Sequence, residues 1–434
     1  MKAKRNILKA GLPVKASMLL MGTGQLLQKQ WIKGMLYLTV LAAYVFYVVT
    51  GGIEDAIGFF TLGTQKADPW LGTPGDDSIM MLLKGLLFYI VTAIVIAIHI
   101  ANVTDAYDSE VKIKAGVKLP GFLKSVGIFA DKKFYIVALV IPIVGVLIFN
   151  VLPIVFMILI AFTNYGGDIV PPELVDWVGF DNFAKILSLS EIKDTFFKIL
   201  LWNMIWAFAA TFINYFGGLG LALLLNKKCI KGKAFWRAFP ILAYAVPGFI
   251  TLLGFKFMFS YGGPINYYIT MNGGNAIGFL DIDAGFTAKI IGLLVNAWIT
   301  IPTSMLLATG MLSNLNTDLY EAASIDGASK WIQFIKITLP FVIFSTTPVL
   351  ITSFVGNFNN FGVFYFMRGG LYNDGYFLAS DTDLLINWLY NLSIDNNYYG
   401  IGAALSLIIF VITSIFSLMV YVQSAAYKKE DTFR

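Results

Sequence analysis

Apolar residues along this chain gather into long unbroken runs separated by short polar connectors. Crossing the roughly 30 Å of bilayer hydrocarbon takes about 20 helical residues. Runs of that order lie at about 34–50, 80–101, 134–163, 199–226, 235–259, 286–313, 341–364 and 401–423. They are continuously apolar and do not alternate with period two, which predicts helices rather than a transmembrane barrel. The first run is the shortest. The third is long enough to tilt or kink, and Pro142 and Pro153 supply the means. A lesser apolar stretch, Met18 to Leu27, is broken by Gly22 and Gly24 and leads into Lys29 and Lys33. It predicts an interfacial or re-entrant segment over 17–29 rather than a cleaved signal.

Composition agrees with the pattern. Of 434 residues, 58 % are hydrophobic and 13 % charged, and the mean hydropathy is +0.74. One soluble core cannot absorb that much apolar surface, so soluble and disordered classes are excluded. The expected fold is an all-α integral membrane protein of about eight transmembrane helices. Charge then orients it. The N-terminus, 102–133, 227–237, 314–340 and the C-terminus carry 23 of the 31 Lys and Arg, while 51–79, 164–198, 260–285 and 365–400 carry 17 of the 26 acids. The alternation holds through every crossing and places both termini in the cytoplasm. Lys84, Lys256 and Lys289 fall near outer span ends, where they can snorkel to the headgroups.

The candidate chemistry is narrow. All 26 Asp and Glu fall in connectors on this assignment, and His99 is the only histidine. A buried proton relay therefore has almost nothing to work with. One Cys and one His exclude disulfide frameworks and multi-ligand metal sites. No G-x-x-x-x-G-K-[ST] phosphate cradle is present, so the chain is not expected to be an enzyme or to hydrolyse ATP itself. Polar residues inside the spans are amides and hydroxyls: Asn150, Asn203, Asn214, Asn296, Thr300, Thr303, Ser353, Asn357, Asn359 and Asn360. Such groups suit an uncharged polyhydroxylated solute, and equally they can join one helix to another.

The connector before the seventh run contains Glu321, Ala322 and Ala323, then Gly327, then Ile337, Leu339 and Pro340. Thr317 or Asp318 can cap a short helix there, and Gly327 permits the positive φ of a helix-ending turn. A second amphipathic helix then carries Trp331, Ile332, Phe334 and Ile335 towards Pro340. On pattern alone this is a docking surface or an ordinary amphipathic linker. Its spacing, E-A-A, three residues, G, nine residues, I-x-L-P, resembles the signature loop of permease subunits in binding-protein-dependent ABC importers. The resemblance extends over 134–425, through Leu152-Pro153, Pro247-Gly248, Gly262 to Asn266, and Asn296 to Trp298 ahead of Pro302. More narrowly, Ser353 to Phe361 is similar to the corresponding helix of MalF-type maltose and maltodextrin permeases. The connector 164–198 is much shorter than the extra domain that Gram-negative members carry there.

That resemblance implies an organisation and a set of roles. Residues 1–133 would hold the N-terminal segment and two extra helices. Residues 134–425 would form the permease core, with a coupling loop at 314–340, and 426–434 a cytoplasmic tail. Glu321, Ala322, Ala323 and Gly327 would couple to a separate ATPase. Ser353, Asn357 and Asn360 stand at i, i+4 and i+7, one helical face, with Phe354, Phe358 and Phe361 on the adjoining face. The resemblance makes Ser353, Asn357 and Asn360 sugar contacts, with Phe354 and Phe358 beside them and Ile299, Thr300 and Thr303 as further lining. The implied partners are a second, MalG-like permease, two copies of a cytoplasmic ATPase, an extracellular solute-binding protein, the sugar and membrane lipid, with no nucleic acid. No cofactor is expected on this chain; ATP and Mg²⁺ would sit on the ATPase, and the setting would be a bacterial plasma membrane. The competing expectation is a secondary carrier driven by an ion gradient, and a third is a membrane scaffold with no solute path.

Overall fold

The computed structural model describes residues 10–423, apart from 69, 71, 123, 125, 126, 128–130, 132, 133 and 228. The expected tail at 426–434 lies outside the described residues. Regular structure among those described is helical, with a few isolated β-bridges such as Asp68 with Thr73. Two compact units divide the chain, Met1–Gly179 and Phe180–Arg434.

The first unit begins with a hairpin of α1 (Leu12–Leu19) and α2 (Thr23–Leu27). Next comes α3 (Trp31–Tyr47), which continues through a wide π turn at Val48–Gly52 into α4 (Ile53–Thr61). The first span is thus longer than the run 34–50 suggested. Helix α5 (Ser78–Lys114) opens on a cap, Asp77 accepting from the N–H groups of Ile79 and Met80 at 3.1 and 3.0 Å. Its 37 residues reach about 55 Å at 1.5 Å per residue, well beyond the hydrocarbon. Its last turns are polar and hold the hairpin. Asn102 accepts from Gly22 N–H at 3.1 Å, Gln25 donates to Asn102 O at 2.9 Å, and Lys33 pairs with Asp105 at 3.0 Å. Glu110 accepts from Gly11 N–H and pairs with Lys114. One expectation is corrected here: Asp105, Asp108 and Glu110 ride on a helix, not a connector. Residues 17–29 form a bend between two short helices docked on α5. Then α6 (Phe134–Val146) and α7 (Leu152–Ile160) are joined by a wide turn at Leu147–Val151, just before Pro153, which cannot donate a backbone hydrogen bond.

The second unit starts with α8 (Asp181–Ser188), α9 (Ser190–Asn226), α10 (Lys233–Ala245), α11 (Gly248–Met258) and α12 (Pro264–Met271). It continues through α13 (Gly285–Ser313), α14 (Thr317–Ile325), α15 (Lys330–Gln333), α16 (Leu339–Phe358), α17 (Gly362–Arg368), α18 (Leu385–Tyr390) and α19 (Tyr399–Gln423). The run 235–259 is not one straight helix: α10 and α11 meet at 90°. Pro247 forces Val246 into an extended conformation, φ −79° and ψ 131°, and withholds the N–H that would continue α10. Seven described helices are long and apolar enough to cross a membrane, and this bent pair makes an eighth.

Close approach of α9 and α13 organises the second unit. A Cβ added to Gly218 would stand 2.4 Å from that of Ser304, so only glycine permits this contact, as in membrane helix pairs generally. Above it lies an apolar cluster containing Trp206, Leu252, Ile291, Val295, Phe364, Met367 and Leu384. This cluster fixes α9, α11, α13, α17 and the segment before α18 around one point.

Candidate functional site

A further correction concerns the seventh run. It does not continue as a helix to 364, because α16 ends at Phe358 and turns at 359–361 into α17. A helix ending inside a bundle leaves carbonyls without partners, and here side chains take them. Trp206 donates its indole N–H to Asn357 O at 3.0 Å, Asn203 donates to Phe358 O at 3.0 Å, and Asn387 donates to Phe361 O at 2.8 Å. Asn203 also accepts from Leu385 N–H at 2.8 Å. Three side chains from two elements, α9 and α18, therefore hold the break open.

The break changes how Asn360 reaches Asn357. Helical periodicity stops before Asn360, yet a third amide reunites them. Asn296, on α13, donates to Asn357 Oδ1 at 3.4 Å and accepts from Asn360 Nδ2 at 3.2 Å. Asn357 Nδ2 donates to Thr211 Oγ1 at 2.9 Å, and Asn360 Oδ1 accepts from Val363 N–H at 3.2 Å. Asn296 and Asn357 are both buried. The sequence marks Asn296 as a polar residue within a span and as part of the Asn296–Trp298 resemblance, not as a contact of Asn357 and Asn360. The available signal was its spacing: Asn296, Thr300 and Thr303 repeat the i, i+4, i+7 pattern of Ser353, Asn357 and Asn360.

Those two faces leave the junction together. Asn296 stands 17 residues before the end of α13 and Asn357 stands 18 after the start of α16, about 26 Å of helix in each arm. Chain direction makes the arms antiparallel, so Thr300 and Ser353 each lie about 6 Å from the junction towards the 314–338 connector. Ser353 and Thr303 are exposed, while Thr300 and Ile299 are half-buried; Ile299 packs on the apolar cluster. Phe354 and Phe358 are not brought to the amides. Phe354 is covered by Phe416 at 4.1 Å and Phe208 at 4.9 Å between ring centres, and Phe358 is 1 % exposed. Phe361 stacks on Tyr365 at 4.4 Å.

On the side of the junction remote from that connector, Arg368 ends α17 with its side chain fully buried. It donates to the carbonyls of Leu280, Asp281 and Ile282, to Thr382 Oγ1 at 2.9 Å and to Asp381 at 3.0 Å. Asp383 nearby accepts from Ser380 N–H, Ser380 Oγ and Asn391 Nδ2 at 2.9 to 3.0 Å. Burial nonetheless pushes its carboxyl up to about 6 against the pull of those donors and of Arg368.

The connector between the arms is itself ordered. The cap of α14 is Asn316, whose side chain accepts from Asp318 N–H at 3.0 Å, one residue earlier than Thr317 and two before Asp318. Gly327 has φ +79°, and Ala328 N–H bonds Ala323 O at 2.8 Å while Gly327 N–H bonds Ser324 O at 3.1 Å. This is the paired arrangement of a Schellman turn. Gln333 Nε2 donates to Ser324 Oγ at 2.8 Å, and Tyr320 OH meets Thr338 Oγ1 at 2.7 Å, closing the hairpin. From Lys330 the helix runs on through a wide turn at Phe334–Thr338 into α16, so no boundary separates the connector from the next span. Glu321, Ala322 and Gly327 are exposed and Ala323 is half-buried. Leu319, Ile325 and Trp331 are exposed beside them. No group of three or more His, Cys, Asp or Glu placed for a metal occurs among the described residues.

Comparison with known proteins bears on both features. Residues 217–429 match the family described as binding-protein-dependent transport system inner membrane component. The galactooligosaccharides transport system permease protein GanP of Bacillus subtilis (strain 168) is 35 % identical over 416 residues, covering 94 % of this chain and 96 % of that one. The maltodextrin transport system permease protein MalC of Streptococcus pneumoniae (serotype 4, strain ATCC BAA-334 / TIGR4) is 34 % identical over 435 residues, covering 96 % and 98 %. Among solved structures, a bacterial ABC transporter involved in the import of the acidic polysaccharide alginate shares the fold, with TM-score 0.54 and 19 % identity over 69 % of this chain and 97 % of that one.

Proposed function

Because the chain belongs to the permease family of binding-protein-dependent ABC sugar importers and is MalF-like, we propose that it carries a neutral oligosaccharide of the maltodextrin type past the Asn296, Asn357 and Asn360 junction. As a permease subunit it is a multi-pass protein of a bacterial plasma membrane, and ATP is hydrolysed by a separate partner. It works with a second permease, an ATPase and a solute-binding protein. The finer reading adds a MalG-like second permease and two ATPase copies, which hold the ATP and Mg²⁺.

One observation carries the sugar assignment. Three neutral amides, each able to donate and accept, meet where α16 ends beside α13, and hydroxyl residues continue both faces. In the present arrangement the amides satisfy one another. Sugar hydroxyls offer the same pairing of donors and acceptors, so a neutral solute can replace these bonds without stranding a buried group. A carboxylated sugar would need a cation here, and none of these lining residues is charged.

The two arms meet the ATPase partner through α14 and α15. Movement of that hairpin reaches Asn296 and Asn357 through continuous helix on either side, α13 carrying Pro302 and α16 Pro348. Alternating access then requires that ATP and sugar each favour one of two states. The test is reconstitution of the assembly in vesicles, following ATP-driven uptake of labelled maltotriose and of a galactooligosaccharide. Asn357→Leu and Asn296→Leu should raise the sugar concentration for half-maximal uptake by about tenfold or more. Uptake by the chain alone under a sodium or proton gradient would overturn the ATP-driven reading. Unchanged uptake in both variants would overturn the site, and preference for the galactooligosaccharide would overturn the maltodextrin assignment.

A further inference from the structure

The first unit contains a cavity that sugar transport does not use. It measures about 360 Å³ and is lined by Gln28 to Lys33 on one side and by Leu119, Pro120, Gly121 and Phe122 on the other. We propose that it holds the phosphate headgroup of an anionic glycerophospholipid, of which phosphatidylglycerol is the simplest bilayer example.

Its lining is divided by chemistry. Lys29, Lys33, Gln28 and Gln30 supply the polar half, and Trp31, Ile32, Leu119, Pro120 and Phe122 the apolar half. Free phosphate would use only the first half. A lipid uses both, its phosphodiester at the lysines and its glycerol and first methylenes against the rings. Depth agrees, because Trp31 begins the first membrane-crossing helix and is 65 % exposed, the usual place of an interfacial tryptophan.

Three further features belong to a built site. The α2–α3 connection is anchored to α5, Gln28 Nε2 donating to Ala106 O at 2.8 Å and Gln30 Nε2 to Ser109 Oγ at 2.9 Å. Lys29 occupies the left-handed position that ends α2, φ +61°, where glycine is the unstrained residue. Its side chain is thereby projected from a fixed turn. Gln28 is 8 % exposed, and its Oε1 has no hydrogen-bond partner among the described residues. The amino end of α3, uncapped by any side chain, adds partial positive charge on the same side. Asp105 pairs with Lys33 at 3.0 Å and offsets part of that charge, which leaves Lys29 as the principal cation.

The test uses the purified full chain, stripped of lipid in detergent and offered equal phosphatidylglycerol and phosphatidylcholine, with retained lipid read by native mass spectrometry. Wild type should retain phosphatidylglycerol preferentially. Lys29→Gln should lower that retention about fivefold, as expected for one interfacial lysine, and Lys66→Gln, in a distant connector, should leave it unchanged. Lys29→Gln spares the Lys33–Asp105 pair, so loss of retention with unchanged thermal unfolding identifies a binding effect. Equal retention of the two lipids, or equal phosphatidylglycerol retention by wild type and Lys29→Gln, overturns the proposal. Displacement of the lipid by millimolar inorganic phosphate would also overturn it, since the occupant would then be a free anion.

Discussion

Replacing Gly327 separates backbone conformation from contact at the connector. Its φ of +79° lies in the left-handed region, and a Cβ added there meets nothing within 4 Å. Substitution therefore costs this chain only the conformational preference of the new residue, roughly 1–2 kcal/mol for an ordinary L-residue. At 1.4 kcal/mol per tenfold, the closed hairpin loses about 5- to 30-fold in population relative to forms with the turn undone. Asn tolerates the left-handed region better than Ala, and Val tolerates it least. Coupled transport by the reconstituted assembly should therefore fall in the order Gly, Asn, Ala, Val, with ATP hydrolysis losing its dependence on sugar in the same order. A partner pressing on this position would instead penalise size, and Ala would outperform Asn. That reversal, or wild-type coupling in Gly327→Val, would refute the conformational argument.

Arg368→Met should lower the unfolding temperature. It removes a donor from three carbonyls and Asp381. Asp281 O keeps Ala284 N–H, Ile282 O keeps Asn373 and Asp381 keeps Lys289 at 4.0 Å, so the loss stays below the roughly 3–5 kcal/mol of a buried pair broken from one side. Phe354→Leu should destabilise the helix bundle modestly yet leave the sugar concentration for half-maximal uptake unchanged, because the ring is covered by Phe416 and Phe208; a large change would place that ring against the sugar. Asp383 gives a pH signature. Its folded value, about 6, lies above the ordinary 3.8, so the folded state binds the proton more tightly than the unfolded chain. Its contribution to stability should be greatest below about pH 4 and fall by up to about 3 kcal/mol as pH rises to about 6, then level off. Asp383→Asn should flatten that part of a thermal-unfolding profile, and persistence of the slope would assign it to another group.

How much of this was legible in the sequence differs by feature. Span number, the left-handed Gly327 and the connector hairpin follow from local rules: apolar length, glycine at a helix end, and polar residues positioned to cap. The bend at Val246-Pro247 was legible too, since Pro247 excludes a straight helix, but apolar length alone ran through it. The break at Phe358 was not. Gly356, Asn359, Asn360 and Gly362 weaken the helix locally, but the stop after Phe358 is fixed from far along the chain, by Asn203, Trp206 and Asn387. Likewise Asn360 was placed beside Asn357 by a periodicity that does not reach it, and arrives there through Asn296. The burial of Arg368 was invisible for the same reason, because its acceptors at 280–282 and 381–382 are brought together only by the fold.

The position of the break explains why a lever could act on the amides at all. Were α16 continuous to residue 364, its face would be rigid and Asn360 would move with Asn357 as one body. With the helix interrupted, Asn357 belongs to the arm that ends on the connector, while Asn360 is tied by Val363 N–H to α17, which Arg368 and the apolar cluster hold. Asn296 bonds to both. Displacing the connector carries Asn296 and Asn357 together and therefore strains the Asn296–Asn360 bond, at 3.2 Å, because Asn360 stays with α17. Inserting one alanine between Pro340 and Ser353 would rotate Asn357 by about 100° relative to the connector and should abolish coupled uptake. The same insertion after Asn360 would leave Asn296 and Asn357 in register and shift α17, with Val363, Phe364 and the Arg368 clamp, costing stability rather than coupling. Loss of coupling from the second insertion in a protein of normal thermal stability would place the moving part in α17 instead.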